Sequence, residues 1–460
     1  MGIKQVMFTN HLALALWALL ILLVGPGMII TADPQSAQST HTSAKLIATL
    51  SGHSKNIIDF AFSPDGETVA TGSEEGTARL WNTRTGELRT TLNCAHKYEW
   101  MRIVWRPDGG AIVIDGRGGD VRPQIWDVRT GKLKAELTTR NSSSIIWSPD
   151  GRTLLTTGVY DRVVKLWDAE TGIQRATLEH DAPCPKQSFW KSIINYGPRC
   201  TSFNFVTADF SAEGHNVITA SSEHPGKLWD AATGKLKTIM PLRDEEFAEK
   251  MYQSDVLLSP DRRLVARYIH DEVTLLDTST GEVKHALGQI GLPIAFSPDS
   301  KMLLTTVREP TSSSFGKWDQ FKLYEAATGQ LLLTFERVPL ITFRPYLYWS
   351  RDGHTILVGS GGAELLDVRT GQVKGRIPFG SCTPEIFFGD DGCQPFILSA
   401  DGRIAVKVKN PLRLWDADNG VLLTTLELAR APALFSPTNP RLLITRGKDK
   451  KTALIWEIQL

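Results

Sequence analysis

One phrase recurs nine times along this chain, and its recurrence limits the fold more than any other feature. An apolar residue is followed by S-P-D-G or a near variant. It reads FSPDG at 62–66, WRPDG at 105–109, WSPDG at 147–151, FSAEG at 210–214, LSPDR at 258–262, FSPDS at 296–300, WSRDG at 349–353, LSADG at 398–402 and FSPTN at 435–439. Roughly a dozen residues after each comes L-W-D-x-x-T-G or its relic, from RLWNTRTG at Arg79 to the terminal LIWEIQL at Leu454. From Trp81 to Trp456 there are 375 residues in eight intervals, about 47 per unit. A four-stranded unit repeating every ~40–45 residues has nearly this period.

The turn chemistry points the same way. In S-P-D-G, proline presets φ, aspartate bonds back to its own backbone, and glycine takes the left-handed position that returns the chain as a hairpin. In D-x-x-T-G, Asp127, Asp168 or Asp230 can accept turn amides, while Gly131, Gly172 or Gly234 supplies the positive φ. The segments between are short, β-branched and often alternating, and none carries a strong helical stripe. These phrases resemble those of the WD40 family over residues 45–460. The resemblance implies an all-β fold: a single closed β-propeller of four-stranded antiparallel blades. Nine blades are expected, or eight if one degenerate unit is not a blade.

Each D-x-x-T-G is followed by a six-residue outer strand, but only eight such strands serve nine units. The last unit stops at its third strand, and KLIATL at 45–50 has the outer-strand pattern with no blade before it. Pairing of Lys45–Leu50 with the Leu454–Ile458 segment would join the N- and C-terminal strands in one blade and remove an open sheet edge. Trp81, Trp126, Trp167, Trp229, Trp415 and Trp456 fall on third strands and are expected to pack between blades. Gly52-His53, with Thr71 or Ser73, Glu75 and Trp81, resembles the family's buried polar network. Most other units lack the histidine, which looks closer to the divergent repeats of bacterial members.

The first 44 residues read separately. Lys4 precedes an apolar run of thirteen residues from Leu12 to Val24, extending through Gly25-Pro26-Gly27 to Ile30, and then a polar stretch over 31–44. A signal peptide or N-terminal membrane anchor is expected over 1–32 and a polar linker over 33–44, with residues 12–30 just long enough to span a bilayer if uncleaved. Lys4 before the run, and no basic residue after it until Lys45, favour export of the propeller to a periplasmic or secreted location. In such a compartment Cys184 with Cys200, and Cys382 with Cys393, could bridge, each pair bracketing an insertion; the alternative is free thiols in loops. Cys94 stands alone.

With 51 basic and 50 acidic residues the net charge is +1, so no basic field argues for nucleic acid or an anionic membrane surface. No nucleophile, zinc-protease, P-loop or dinucleotide motif is present, and no cofactor, metal or catalytic residue is assigned. Insertions fall at Glu179–Thr201, Arg243–Gln253, Glu309–Gln320, Glu336–Tyr346 and Pro378–Pro395. All lie on the rim opposite the recurrent turns, and insertions gathered on one face mark a binding face. Their aromatic residues Phe189, Trp190, Tyr196, Phe315, Trp318, Tyr346, Phe387 and Phe388 are candidate partner contacts; the alternative is that they cap the propeller's own rim. The leading reading is a non-enzymatic platform for a protein or peptide, monomeric, exported or membrane-tethered. The alternatives are a small-ligand or glycan receptor at the central channel, and an extracytoplasmic hydrolase or lyase with a channel-centred site.

Overall fold

The S-P-D-G phrase folds by local bonding among its own residues and the two that follow it. In the first copy the Ser63 hydroxyl accepts the Thr68 amide at 2.9 Å, Asp65 Oδ1 accepts the Glu67 amide at 2.9 Å, and the Gly66 amide donates to Ser63 O at 2.9 Å. Gly66 sits at φ +73°, a conformation that costs side-chain-bearing residues about 1–3 kcal/mol. The serine bond to the amide five residues on recurs at 2.9 Å from Ser148, Ser259, Ser297, Ser350 and Ser399. In D-x-x-T-G, Asp127 Oδ1 takes both the Thr130 amide and hydroxyl at 2.7 Å, and the Gly131 amide closes on Asp127 O at 2.9 Å.

A computed structural model describes residues 43–94, 98–117, 121–140, 142–158, 163–179, 207–220, 226–240, 256–269, 272–288, 290–308, 318–336, 346–359, 363–377, 396–407 and 410–459. Among them are nine four-stranded antiparallel sheets, which settles the count at nine rather than eight. Blade 1 consists of Ile57–Phe62, Thr68–Ser73, Thr77–Asn82 and Leu88–Asn93, from the channel outward. The inner strands of blades 2 to 8 are Trp100–Trp105, Ser142–Trp147, Thr207–Phe210, Val256–Leu258, Leu292–Phe296, Tyr346–Trp349 and Phe396–Leu398.

Blade 9 is assembled from both parts of the chain. Ala429–Phe435, Leu442–Gly447 and Ala453–Gln459 supply three strands, and Ser43–Leu50 pairs antiparallel with the third of these. The closing strand starts at Ser43, opposite Gln459, so the stretch expected as linker ends inside a strand.

Packing between blades makes the ring. Each of the nine neighbouring pairs shares a buried apolar cluster, including one that joins blade 9 to blade 1 through Leu50, Ile57, Phe60, Ile444 and Ile455. Among the described residues, twelve buried ones lie between blades 1 and 2 and four between blades 4 and 5. Between blades 4 and 5 the Asn216 side-chain amide donates to Thr278 O and Ser279 O, both at 3.0 Å, and so ties the two blades by polar bonds. The six third-strand tryptophans are at most 7% exposed. Trp81, Trp167, Trp229 and Trp456 each donate the indole N–H to a threonine hydroxyl on the second strand, at 2.8–2.9 Å.

Candidate functional site

Because both recurrent turns close hairpins at one edge of every blade, the connections between second and third strands, and from each outer strand to the next inner one, leave from the other edge. The inserted segments all belong to this second class. Trp318 and Tyr346 begin the strands Trp318–Glu325 and Tyr346–Trp349, which puts both at that edge. Phe189, Trp190, Tyr196, Phe315, Phe387, Phe388, Cys184, Cys200, Cys382 and Cys393 lie outside the described residues, as do residues 1–42.

The described part of this rim holds an aromatic site that the motif reading passes over. Trp100 opens the inner strand of blade 2 and is 40% exposed. The Arg102 guanidinium lies 5.2 Å from its ring centroid, in cation–π geometry worth about 0.5–2 kcal/mol. Arg102 is itself fixed from two sides: Nη2 meets Asp115 Oδ2 at 3.0 Å, and Nη1 donates to Ser143 O of blade 3 at 3.1 Å. Asp115 is 1% exposed. Burial pushes its carboxyl above the usual range, while the Arg102 charge pulls the other way. The carboxylate thus holds the guanidinium, and the guanidinium holds the indole at the channel edge. An exposed tryptophan stacked on a positioned arginine has the composition of an interface anchor.

Blade 1 presents a second polar cluster at the same edge, and its geometry is that of a brace. His53 is 5% exposed; its Nδ1–H donates to Glu75 Oε1 at 2.8 Å, and its Nε2 accepts the Thr71 hydroxyl at 2.8 Å. Thr71 Oγ1 in turn accepts the Trp81 indole N–H at 2.8 Å. Burial lowers the His53 pKa despite the Glu75 carboxylate, in keeping with a neutral ring. Glu75 is held well below the usual carboxylate range by bonds from Ser54, Thr77 and His53, which outweigh its desolvation. A serine, a histidine and a carboxylate meet here, but Ser54 donates to Glu75 and not to His53. The Nε2 faces the fully buried Thr71 hydroxyl, so the ring ties the second strand to the turn that precedes the blade. Gly52 enables the approach: at φ +136°, a Cβ there would lie 2.1 Å from Arg79 Nη1.

Cys94 is buried, and burial pushes its thiol up to about 12, so it is not a reactive thiolate. Among the described residues no group of three or more His, Cys, Asp or Glu could hold a metal, and no helix is long and apolar enough to cross a membrane.

The family described as "WD domain, G-beta repeat" matches residues 44–82 and 131–168. The first match runs from the closing strand through the third strand of blade 1, across the point where the two chain ends meet. Protein tipD of Dictyostelium discoideum is 25% identical over 53% of this chain and 36% of its own length. The COMPASS component SWD3 of Saccharomyces cerevisiae is 22% identical over 40% of this chain and 54% of its own. The Periodic tryptophan protein 2 homolog of Dictyostelium discoideum is 26% identical over 45% and 25%. The matched part of the chain therefore spans between a quarter and about half of these relatives. Among solved structures, the computationally designed Ika8 protein superposes over 90% of this chain and all of that one, with 16% identity and a TM-score of 0.46, too loosely to carry an argument.

Proposed function

Because the chain is a WD40-repeat propeller, of a family that generally scaffolds protein interactions, we propose that it is a non-enzymatic platform that grips a protein or peptide on the insertion-bearing rim. The observation that carries this reading is the Trp100–Arg102–Asp115 stack, an exposed aromatic held rigidly at the channel edge of that rim. Rigidity reduces the ordering cost that association otherwise incurs. The aromatic residues Phe189, Trp190, Phe387 and Phe388 in the inserted sequences are further candidate contacts. The apolar run over 12–30 supports an exported or membrane-tethered platform that meets its partner outside the cytoplasm.

The test is affinity capture from the native envelope fraction, using the parent chain, Trp100→Ala and a Phe189→Ala/Trp190→Ala double variant, each checked by thermal unfolding. A partner held by the parent should be bound at least tenfold more weakly by Trp100→Ala, as expected for a hot-spot residue, with the unfolding midpoint almost unchanged. Equal recovery by all three chains would place the binding surface elsewhere.

A further inference from the structure

The turn-bearing mouth of the ring holds a cavity of about 430 Å³ among the inner strands of blades 7, 8 and 9. Small-molecule sites run from roughly 300 to 1,000 Å³. Its position follows from an asymmetry in the repeats. Two residues before the first position of the S-P-D-G phrase, the inner strands carry Ala61, Val104, Ile146, Asp209, Leu257 and Ala295 in blades 1 to 6, and Tyr348, Ile397 and Leu434 in blades 7, 8 and 9. Only blades 7, 8 and 9 place large apolar residues there in three neighbouring blades, and these three line the cavity. In blades 2 and 3 the residue before the phrase ties the inner strand to its neighbour: Trp105 and Trp147 donate their indole N–H groups to Ala61 O and Val104 O of the preceding blades, both at 3.2 Å. Trp349 occupies the same place in blade 7 and lines the cavity, and its indole N–H finds no acceptor among the described residues.

One substitution in the repeat singles out the chemistry of the occupant. The second position of the phrase is proline in six copies and alanine at Ala212 and Ala400; in blade 7 it is Arg351. The turn does not need the proline, since Ser350 still accepts the Thr355 amide at 2.9 Å and Gly353 keeps φ +74°. Arg351 instead reaches across to Pro437 O in blade 9, over the mouth of the cavity. Among the described residues of the lining it is the single charged one. The two lining serines are committed to their turns: the Ser399 hydroxyl donates to Asp401 and accepts the Ile404 amide, and Ser436 accepts from the Thr438 and Asn439 amides. Asp352 and Asp401 flank the mouth, but each carboxylate takes a serine hydroxyl and a backbone amide of its own turn.

We propose that this cavity binds a small apolar carboxylate, its hydrocarbon body packed against Tyr348, Leu398 and Leu434 and its acid group paired with Arg351. The arrangement supplies apolar area for affinity and one forked donor for orientation. The site is independent of the partner-binding rim, being built at the other end of the inner strands.

Calorimetric titration of the full chain with octanoate and with octylammonium, which share a hydrocarbon chain and differ in charge, tests it. Octanoate should bind at least tenfold more tightly than octylammonium. Arg351→Gln should bring the two within about twofold of each other, and filling the space with Ala400→Trp should abolish both. Leu434→Trp serves the same purpose should Ala400→Trp unfold. Trp100→Ala should bind octanoate like the parent, separating failure of this site from failure of the rim reading. No heat from octanoate at millimolar concentration, equal binding of the two probes, or an unchanged preference in Arg351→Gln would each overturn the proposal.

Discussion

Blade 1 and blades 2 and 8 carry the same tryptophan in the same register, yet only in blade 1 is it part of a bonded relay. Trp81 pairs across the sheet with Val69, and its indole reaches the hydroxyl two residues further along the second strand, at Thr71. Trp126 pairs with Ile112 and Trp415 with Ala405, so the corresponding positions are Ile114 and Lys407. Neither indole has an acceptor among the described residues, and both are buried. A buried donor left unpaired costs about 1–3 kcal/mol. The ring tolerates that cost where blades pack through large apolar clusters. Where the two chain ends meet it adds polar ties: Ile57 donates to Lys450 O of blade 9 at 2.7 Å, and Arg446 of blade 9 donates back to Ile57 O at 3.2 Å. The most fully bonded blade therefore stands beside the seam that closes the ring.

The largest test of this contrast is Thr71→Val. The change keeps the shape but strands both the Trp81 N–H and the His53 Nε2, and should cost about 2–4 kcal/mol in chemical denaturation. Thr156→Val in blade 3 strands only Trp167 and should cost about half as much. Equal losses would mean that His53 contributes nothing to the brace.

Next comes a pH effect of opposite sign within the same blade. Burial raises the Asp59 carboxyl to about 6, against the pull of the Ile103 amide, which donates to it at 2.8 Å. Its folded pKa lies above its unfolded value, so its charged form penalises the fold above pH 6, and the penalty fades as pH falls toward 4. His53 acts in reverse: its lowered pKa means stability is lost as pH drops below 6.5 and the unfolded chain takes up a proton. Glu75, held low, adds a further loss below pH 4.5. Asp59→Asn keeps an acceptor for Ile103 and removes the charge. It should stabilise the chain by roughly 1–3 kcal/mol at pH 8 and hardly at all at pH 4. No gain at pH 8 would show that the carboxylate is better solvated than its burial implies.

Sequence made the ring legible because its information is local. Turn residues at fixed offsets announce each hairpin, and an odd strand left at 45–50 announces the closure. The same reading gave the turn to proline, aspartate and glycine, whereas the serine hydroxyl does much of the bonding, and proline is dispensable at Ala212, Arg351 and Ala400. Glycine is dispensable too: Arg262 and Ser300 take its place at φ 60° and 62°. The Trp100 stack escaped notice for a different reason. Its indole, guanidinium and carboxylate come from two strands of blade 2 and its last contact from blade 3, so no contiguous motif records it. The cavity is hidden in the same way, in the contrast between blades that share a motif. The loop aromatics were legible only as candidates, and of these Trp318 and Tyr346 are placed at the rim by the strands they begin.

The smallest effect sharpens the comparison most, because it tries to convert one kind of blade into the other. Lys407→Thr should give the Trp415 indole the acceptor that Thr71 gives Trp81, raising stability by about 0.5–1 kcal/mol. Ile114→Thr should gain the same bond for Trp126 but lose buried apolar surface, since Ile114 is fully buried between blades 1 and 2. A buried methylene is worth about 0.8 kcal/mol, so the two terms nearly cancel. The decisive control is Lys407→Thr in a Trp415→Phe background, where no donor remains. If the threonine stabilises that chain as much as the parent, the gain comes from strand propensity and the register rule fails; if the gain disappears, the hydroxyl two residues past the tryptophan's partner is what separates a bonded blade from a merely packed one.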